Sequence, residues 1–163
     1  MLGQLGGQAS AVRSHEEVFA YWSSRREGGR LPARRHIDPD QFKRHLPTIS
    51  LIDVRRNPRD YRQRLAGTGL YSVYGGEITG KRLCEIYAPE AERYWREQLN
   101  RVVDDAKPAV GVHSLSWRRA SHLSILWLRL PLASDGERVD MILGYDVLVG
   151  MHGDHGVSGI RAA

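Results

Sequence analysis

From Pro89 to Ala106 the chain reads PEAERYWREQLNRVVDDA, in which Ala91, Tyr94, Trp95, Gln98, Leu99, Val102, Val103 and Ala106 recur at the three-and-four spacing that lays one helical face on a core. Pro89 suits the first turn of such a helix, and Lys107 followed by Pro108 stops it. One long apolar face of this kind needs a layer to cover it, and the residues that follow supply one. Val110–Arg118, His122–Leu132 and Arg138–Val149 read as three strands, with Ser134, Asp135 and Gly136 giving hairpin turn chemistry before the last.

Two more strands come early. Ile49–Val54 and Tyr61–Ala66 flank an Asn57–Pro58 turn and read as a hairpin. A first helix is expected to begin near Ser14, because Ser14 and Glu17 fit an S-x-x-E capping box and Val18, Tyr21 and Trp22 then form an apolar stripe that Gly28 and Gly29 end. Asp38, Pro39 and Gln41, with Ile37 and Phe42 at staple positions, signal a second short helix closed by Pro47. The glycines between Gly67 and Pro89 point to brief helices and bends. The expected fold class is therefore α+β: a five-stranded antiparallel sheet with helices packed on one face and an N-terminal flanking helix. Residues 14–149 form the single domain, with residues 1–13 and 150–163 expected as flexible tails.

At 163 residues one core is the default. No apolar run approaches the roughly 20 residues of a membrane span, and the start lacks a secretory signal, so the expected compartment is the cytoplasm. Cys84, the one cysteine, cannot form an internal disulfide and reads as a small buried apolar residue. A net charge of +5, with Arg25, Arg26, Arg30, Arg34, Arg35, Lys43 and Arg44 in one segment, raises nucleic acid as a partner. Few aromatics interleave with those cations, so a solvated basic face is the preferred reading and nucleic acid an unlikely partner.

Catalytic patterns are weak. Gly75–Lys81 spell G-x-x-x-x-G-K, but Arg82 replaces the Ser or Thr of a phosphate loop; a bend entering a short helix capped by Thr79 explains the glycines better. His152 and His155 beside Asp154 make a poor metal signal in a Gly-rich tail, and no metal site is expected. No serine sits in a G-x-S-x-G elbow. Asp140 or Asp146, if turned inward, would leave a small lyase or isomerase open as a minority reading.

The element order, with Tyr21-Trp22, Leu31-Pro32, Ile37-Asp38-Pro39, Leu46-Pro47, Tyr61 to Thr68 (YRQRLAGT), Thr79-Gly80, Leu83, Leu130-Pro131-Leu132, Val139-Asp140 and Leu143-Gly144, resembles the PAS fold and a short alphaproteobacterial family of stand-alone PAS-like domains. The resemblance covers residues 17–149 and implies a sensory or protein-interaction module in signalling, without catalysis. It also implies a ligand site between sheet and helices, for which Gln63, Leu65, Tyr71, Tyr74, Leu83, Tyr87, Trp95, His113 and Trp117 are the expected lining. Gln63 stands where an apolar or aromatic residue is expected, and Gln63 and His113 are expected to share the cavity. The sequence names no cofactor and leaves open whether side chains fill the cavity. With no output domain in the remaining residues, a signal is expected to leave by contact, through a homodimer or protein partner on Val18, Tyr21 and Trp22. The alternative function is nucleotide or nucleic-acid binding through Arg25–Arg44.

Overall fold

The computed structural model describes residues 2–150. Helix α1 spans Leu2–Ser24, a 3-10 segment spans Pro39–Thr48, and strands β1 (Ile49–Arg55) and β2 (Asp60–Ala66) follow. Short helices α2 (Leu70–Tyr74) and α3 (Leu83–Ile86) lead to α4 (Pro89–Asp105) and to β3 (Ala109–Leu115), β4 (Ala120–Leu132) and β5 (Met141–Gly150). The five strands are antiparallel throughout, in the order β2-β1-β5-β4-β3. The two early strands and the three late ones thus join through the β1–β5 pair.

Directly paired residues share a face of a sheet. His113, Ile125 and Leu148 form one such row, Gly111, Trp127 and Asp146 the next, and Pro131, Ile142, Ile52 and Gln63 another on the same side. This inner face lies under α2, α3 and α4: Trp95 of α4 meets Trp127 at 5.3 Å between ring centroids, and the Tyr61 hydroxyl donates to Asn100 Oδ1 at 2.5 Å. Trp95, Leu99 and Val102 are almost wholly buried, as the apolar period of this helix requires.

Helix α1 and the 3-10 segment cover the opposite, outer face. Tyr145 stands between them, its ring 4.9 Å from that of His15, while its hydroxyl lies 3.0 Å from His45 Nδ1. The Trp22 indole donates to the Pro131 carbonyl at 3.0 Å. Helix α1 starts at Leu2, well before the expected Ser14; residues 2–13, expected as part of a tail, are helical, and Ala11 docks in the core. The capping-box match at Ser14 and Glu17 is internal to the helix, and the Glu17 carboxylate accepts instead from Arg44 and lies 2.9 Å from His45 Nε2. Asp38 caps the 3-10 segment as expected, accepting from the Asp40 N–H at 3.0 Å. Helix α3 is capped by Arg82 and not Thr79, and Cys84 on it is exposed instead of buried. Strand β5 begins at Met141, not Arg138, because Asp135 Oδ1 accepts from the Glu137 and Arg138 N–H groups and holds them in the turn. Residues 151–163, with His152, Asp154 and His155, lie outside the described residues.

Candidate functional site

The inner face carries a charged group at its centre. Arg129 of β4 reaches Asp146 of β5 in a two-pronged pair, Nη1 to Oδ1 at 2.7 Å and Nη2 to Oδ2 at 3.3 Å, and both side chains are 1% exposed. The Tyr74 hydroxyl donates to Asp146 Oδ2 at 2.8 Å, and the guanidinium carbon sits 4.8 Å from the centre of the Trp95 ring. Burial works against the charge on Arg129, but the Asp146 carboxylate more than offsets it and raises the arginine further above its ordinary value. Burial, with Asp146 alongside, holds the Tyr74 phenol well above its ordinary value, so it remains a donor. Asp146 does turn inward, but its oxygens are committed to Arg129 and Tyr74; Asp140 lies in the β4–β5 turn and accepts from the Ser134 N–H at 3.2 Å. Neither is placed as a free acid or base.

Around that pair the aromatics form one continuous cluster. Tyr87 stacks on Trp95 at 5.7 Å, meets Trp117 edge-on at 5.1 Å and Tyr74 at 5.9 Å, and His113 stacks on Tyr94 at 4.0 Å with their planes 6° apart. Gly111 makes room on β3: a Cβ there would stand 2.6 Å from the Trp127 ring. Burial lowers the His113 imidazole below its ordinary value, favouring the neutral ring. Two indoles of the molecule are satisfied, Trp22 by Pro131 and Trp127 by the Tyr94 hydroxyl at 3.0 Å. The other two are not. Among the described residues, Trp95 Nε1 and Trp117 Nε1 are buried without a partner, as are His113 Nδ1 and Arg129 Nε on adjoining side chains. Three of these four nitrogens can only donate.

Gln63 and Leu65 do not join this cluster. The β1–β2 ladder pairs Leu51 with Leu65 and Ile52 with Gln63, so Arg64 is an extra residue, and Gln63 and Leu65 face opposite sides although they are two apart. Leu65 is 47% exposed on the outer face, a correction to the expected lining. Gln63 is buried on the inner side, its Oε1 without a partner among the described residues, but β2 and β3 are the two edges of the sheet, about 19 Å apart at usual strand spacing. The expected shared cavity of Gln63 and His113 is therefore not formed. Tyr71 is 61% exposed and also falls outside the site. Tyr74, Leu83, Tyr87 and Trp95 are buried on the expected side, and Trp117 is half-buried, packed on Tyr87 from a 3-10 turn (Ser116–Arg118) and not from the strand that alternation suggested. Arg129, Tyr94 and Trp127 were missed as site residues, and Asp146 was raised only as a candidate acid or base. An arginine within the apolar run SILWLRLPL was the available signal, since a charge there requires a buried partner.

A model of the PAS domain family matches residues 10–147. The chain belongs to the PAS domain family. PAS domains are sensory signalling modules. Among solved structures the fold is similar to the LOV protein of Rhodobacter sphaeroides, at 16% identity over 72% of this chain and 71% of that one, with a TM-score of 0.51. It is similar to the d2 variant of RsLOV at 16% identity, with 72% of each chain covered and a TM-score of 0.50. No curated protein matches the sequence at a significant level.

The surface of this PAS domain differs from expectation at the first helix. Val18 and Trp22 are each 1% exposed, packed on the domain's own sheet, and the Tyr21 hydroxyl accepts from the Asp38 N–H at 2.7 Å. The expected partner stripe is thus internal; α1 exposes Val12 and Phe19 instead. Much of the basic segment is engaged with the fold. Arg25 donates to the His36 carbonyl, Arg26 to Gly29, Arg30 to Asp135, Arg34 to Ile37 and Arg35 to Ser134. Among the described residues no helix is long and apolar enough to cross a membrane, and no group of three or more His, Cys, Asp or Glu side chains could hold a metal ion.

Proposed function

We propose that this PAS domain senses a small molecule rich in acceptor oxygens, such as a carboxylate or a carbonyl compound, on the inner face beside Trp95, His113 and Trp117. The observation that carries the reading is the contrast among the four indoles: two are paired with protein oxygens, whereas Trp95 and Trp117 are buried with no partner among the described residues, next to two further nitrogens in the same state. Leaving a buried donor unpaired costs on the order of 1–3 kcal/mol, so such a set favours a ligand or ordered water that accepts from it. The signal then leaves through β3. His113 faces the cluster, while Val112 next to it projects from the outer face and is 40% exposed. On α1, Glu17 and Tyr21 mark the flank toward the 3-10 segment; Val12 and Phe19 lie on the other flank, the β3 side of the helix. Val12, Phe19 and Val112 make the contact surface for a second copy or a protein partner.

A native mass spectrum of the purified protein, beside Trp117→Phe and His113→Phe, tests the sensor. A retained small-molecule mass, lost in both variants while their melting temperatures hold, is expected. The bare chain mass alone, with variants that melt higher, would show that the nitrogens are merely strained members of a closed core. Phe19→Glu should reduce association in light scattering without changing that retained mass.

A further inference from the structure

The segments that carry the sequence resemblance meet on the other side of the sheet. Ile37 to Pro39, Leu46-Pro47, Leu65 to Thr68 and Leu143 converge on a groove of about 520 Å³ between the 3-10 segment and the outer face of β1 and β2. Its walls are almost wholly apolar, with Phe42, Leu46, Leu51 and Leu143 behind the half-exposed Leu65. The bulge at Arg64 is what delivers Leu65 to this side. The groove is built into the fold. The Gly67 N–H donates to the Ile49 carbonyl and the Gly69 N–H to the Pro47 carbonyl, both at 2.8 Å, and a side chain on Gly67 would collide with the Leu46 and Pro47 carbonyls. Two exposed cations, Arg34 and Lys43, also line it. Arg34 donates to the Ile37 carbonyl but has no carboxylate within ion-pair distance among the described residues, and Lys43 meets only the exposed Asp40, at 3.3 Å.

An apolar trough with a cation at its rim that no carboxylate of the described residues compensates, and a second held only by an exposed ion pair, fits a long hydrocarbon chain ending in an anion. At roughly 30 Å³ per water-sized group, the trough holds on the order of 14–17 methylenes, within the usual range of small-molecule sites. A second copy of the chain is a poorer occupant, because a two-fold contact sets the same patch against itself and would bring Arg34, Arg35, Lys43 and Arg44 face to face with their equals. We propose that this outer groove binds one long-chain carboxylate, its tail along Leu65 and Phe42 and its head group at Arg34 and Lys43. The site is separate from the inner cluster and does not rest on the sensor reading.

The test is titration calorimetry of the full chain with hexadecanoate, below its aggregation concentration, and with decanoate, hexadecanol and vesicles of anionic phospholipid. Expected are a 1:1 complex with hexadecanoate, a loss of about fourfold for each methylene removed, and weaker binding of hexadecanol. Leu65→Glu should lower hexadecanoate affinity at least tenfold, Arg34→Glu with Lys43→Glu several-fold, and His113→Phe not at all. Because Leu65 and both cations are surface residues, these variants are expected to fold, which circular dichroism checks. Unchanged affinity in Leu65→Glu, equal binding of hexadecanol, or binding to vesicles alone would overturn the proposal. So would loss in His113→Phe with none in Leu65→Glu, which would move the ligand to the inner face. A dimer that Leu65→Glu dissociates, or tight binding of an acidic amphipathic peptide with none of hexadecanoate, would assign the groove to a protein instead.

Discussion

Arg129 and Asp146 show how a buried charge is tolerated in an otherwise apolar layer. Each costs several kcal/mol to remove from water, and the pair is sustained because the guanidinium meets two carboxylate oxygens, the Leu128 carbonyl and the face of Trp95. Removing one partner is far worse than removing both. Asp146→Ala is expected to cost about 3–5 kcal/mol by leaving Arg129 uncompensated, whereas Arg129→Met with Asp146→Leu should recover most of that loss. Urea unfolding of the two variants checks it: a double variant as unstable as the single one would mean that the network, not the stranded charge, holds the sheet. The residues at this scale were the least legible in the sequence. An arginine in an apolar strand announces that a partner exists, but the partner stands 17 positions later on the neighbouring strand, and only the β4–β5 register brings them together.

At the level of elements, what could be read was whatever depends on nearby residues. The apolar period of α4, its proline start and the Lys107-Pro108 stop gave its bounds within a residue, and the cap at Asp38 was also local. The start of α1 was not local, because Ala11 and His15 are held by the sheet. His15 Nδ1 lies 2.9 Å from the Ala11 carbonyl and Nε2 lies 3.0 Å from the Leu126 carbonyl. Burial lowers this imidazole below its ordinary value near 6.5; the Ala11 carbonyl and the Asp146 charge oppose the shift, and Arg129 adds to it. The folded chain therefore favours neutral His15 more than the unfolded chain does. The stabilisation is complete above about pH 6.5 and is lost as pH falls through that value toward the lowered one. Burial gives His113 the same sign. Thermal melts by circular dichroism should show a midpoint falling from pH 7.5 to pH 5.5, with a shallower fall in His15→Gln. A midpoint that rises over that range would contradict the assigned direction.

For the whole molecule, the five antiparallel strands, their succession along the chain and the presence of an N-terminal helix followed from the sequence, whereas which residues line the site did not, because that depends on which face each residue takes. The basic excess belongs to the same scale. Five arginines between Arg25 and Arg35 donate to backbone carbonyls, so they close loops more than they present a phosphate-binding stripe. Binding to duplex DNA is expected to be weak and to fall about 100-fold between 50 and 200 mM salt if four phosphates are contacted. Filter binding at the two concentrations measures it, and sequence-selective, salt-resistant binding would overturn it. The extra residue in β2 has a further consequence for how such chains diverge. Because Arg64 alone puts Gln63 and Leu65 on different sides, deleting that one residue would restore strict alternation and leave Gln63 facing inward and Leu65 outward, as they now do. Two relatives aligned with a gap at this position would therefore keep the same side chains on the inner face and in the outer groove, so the length of β2 can drift by one codon here without changing what either face presents.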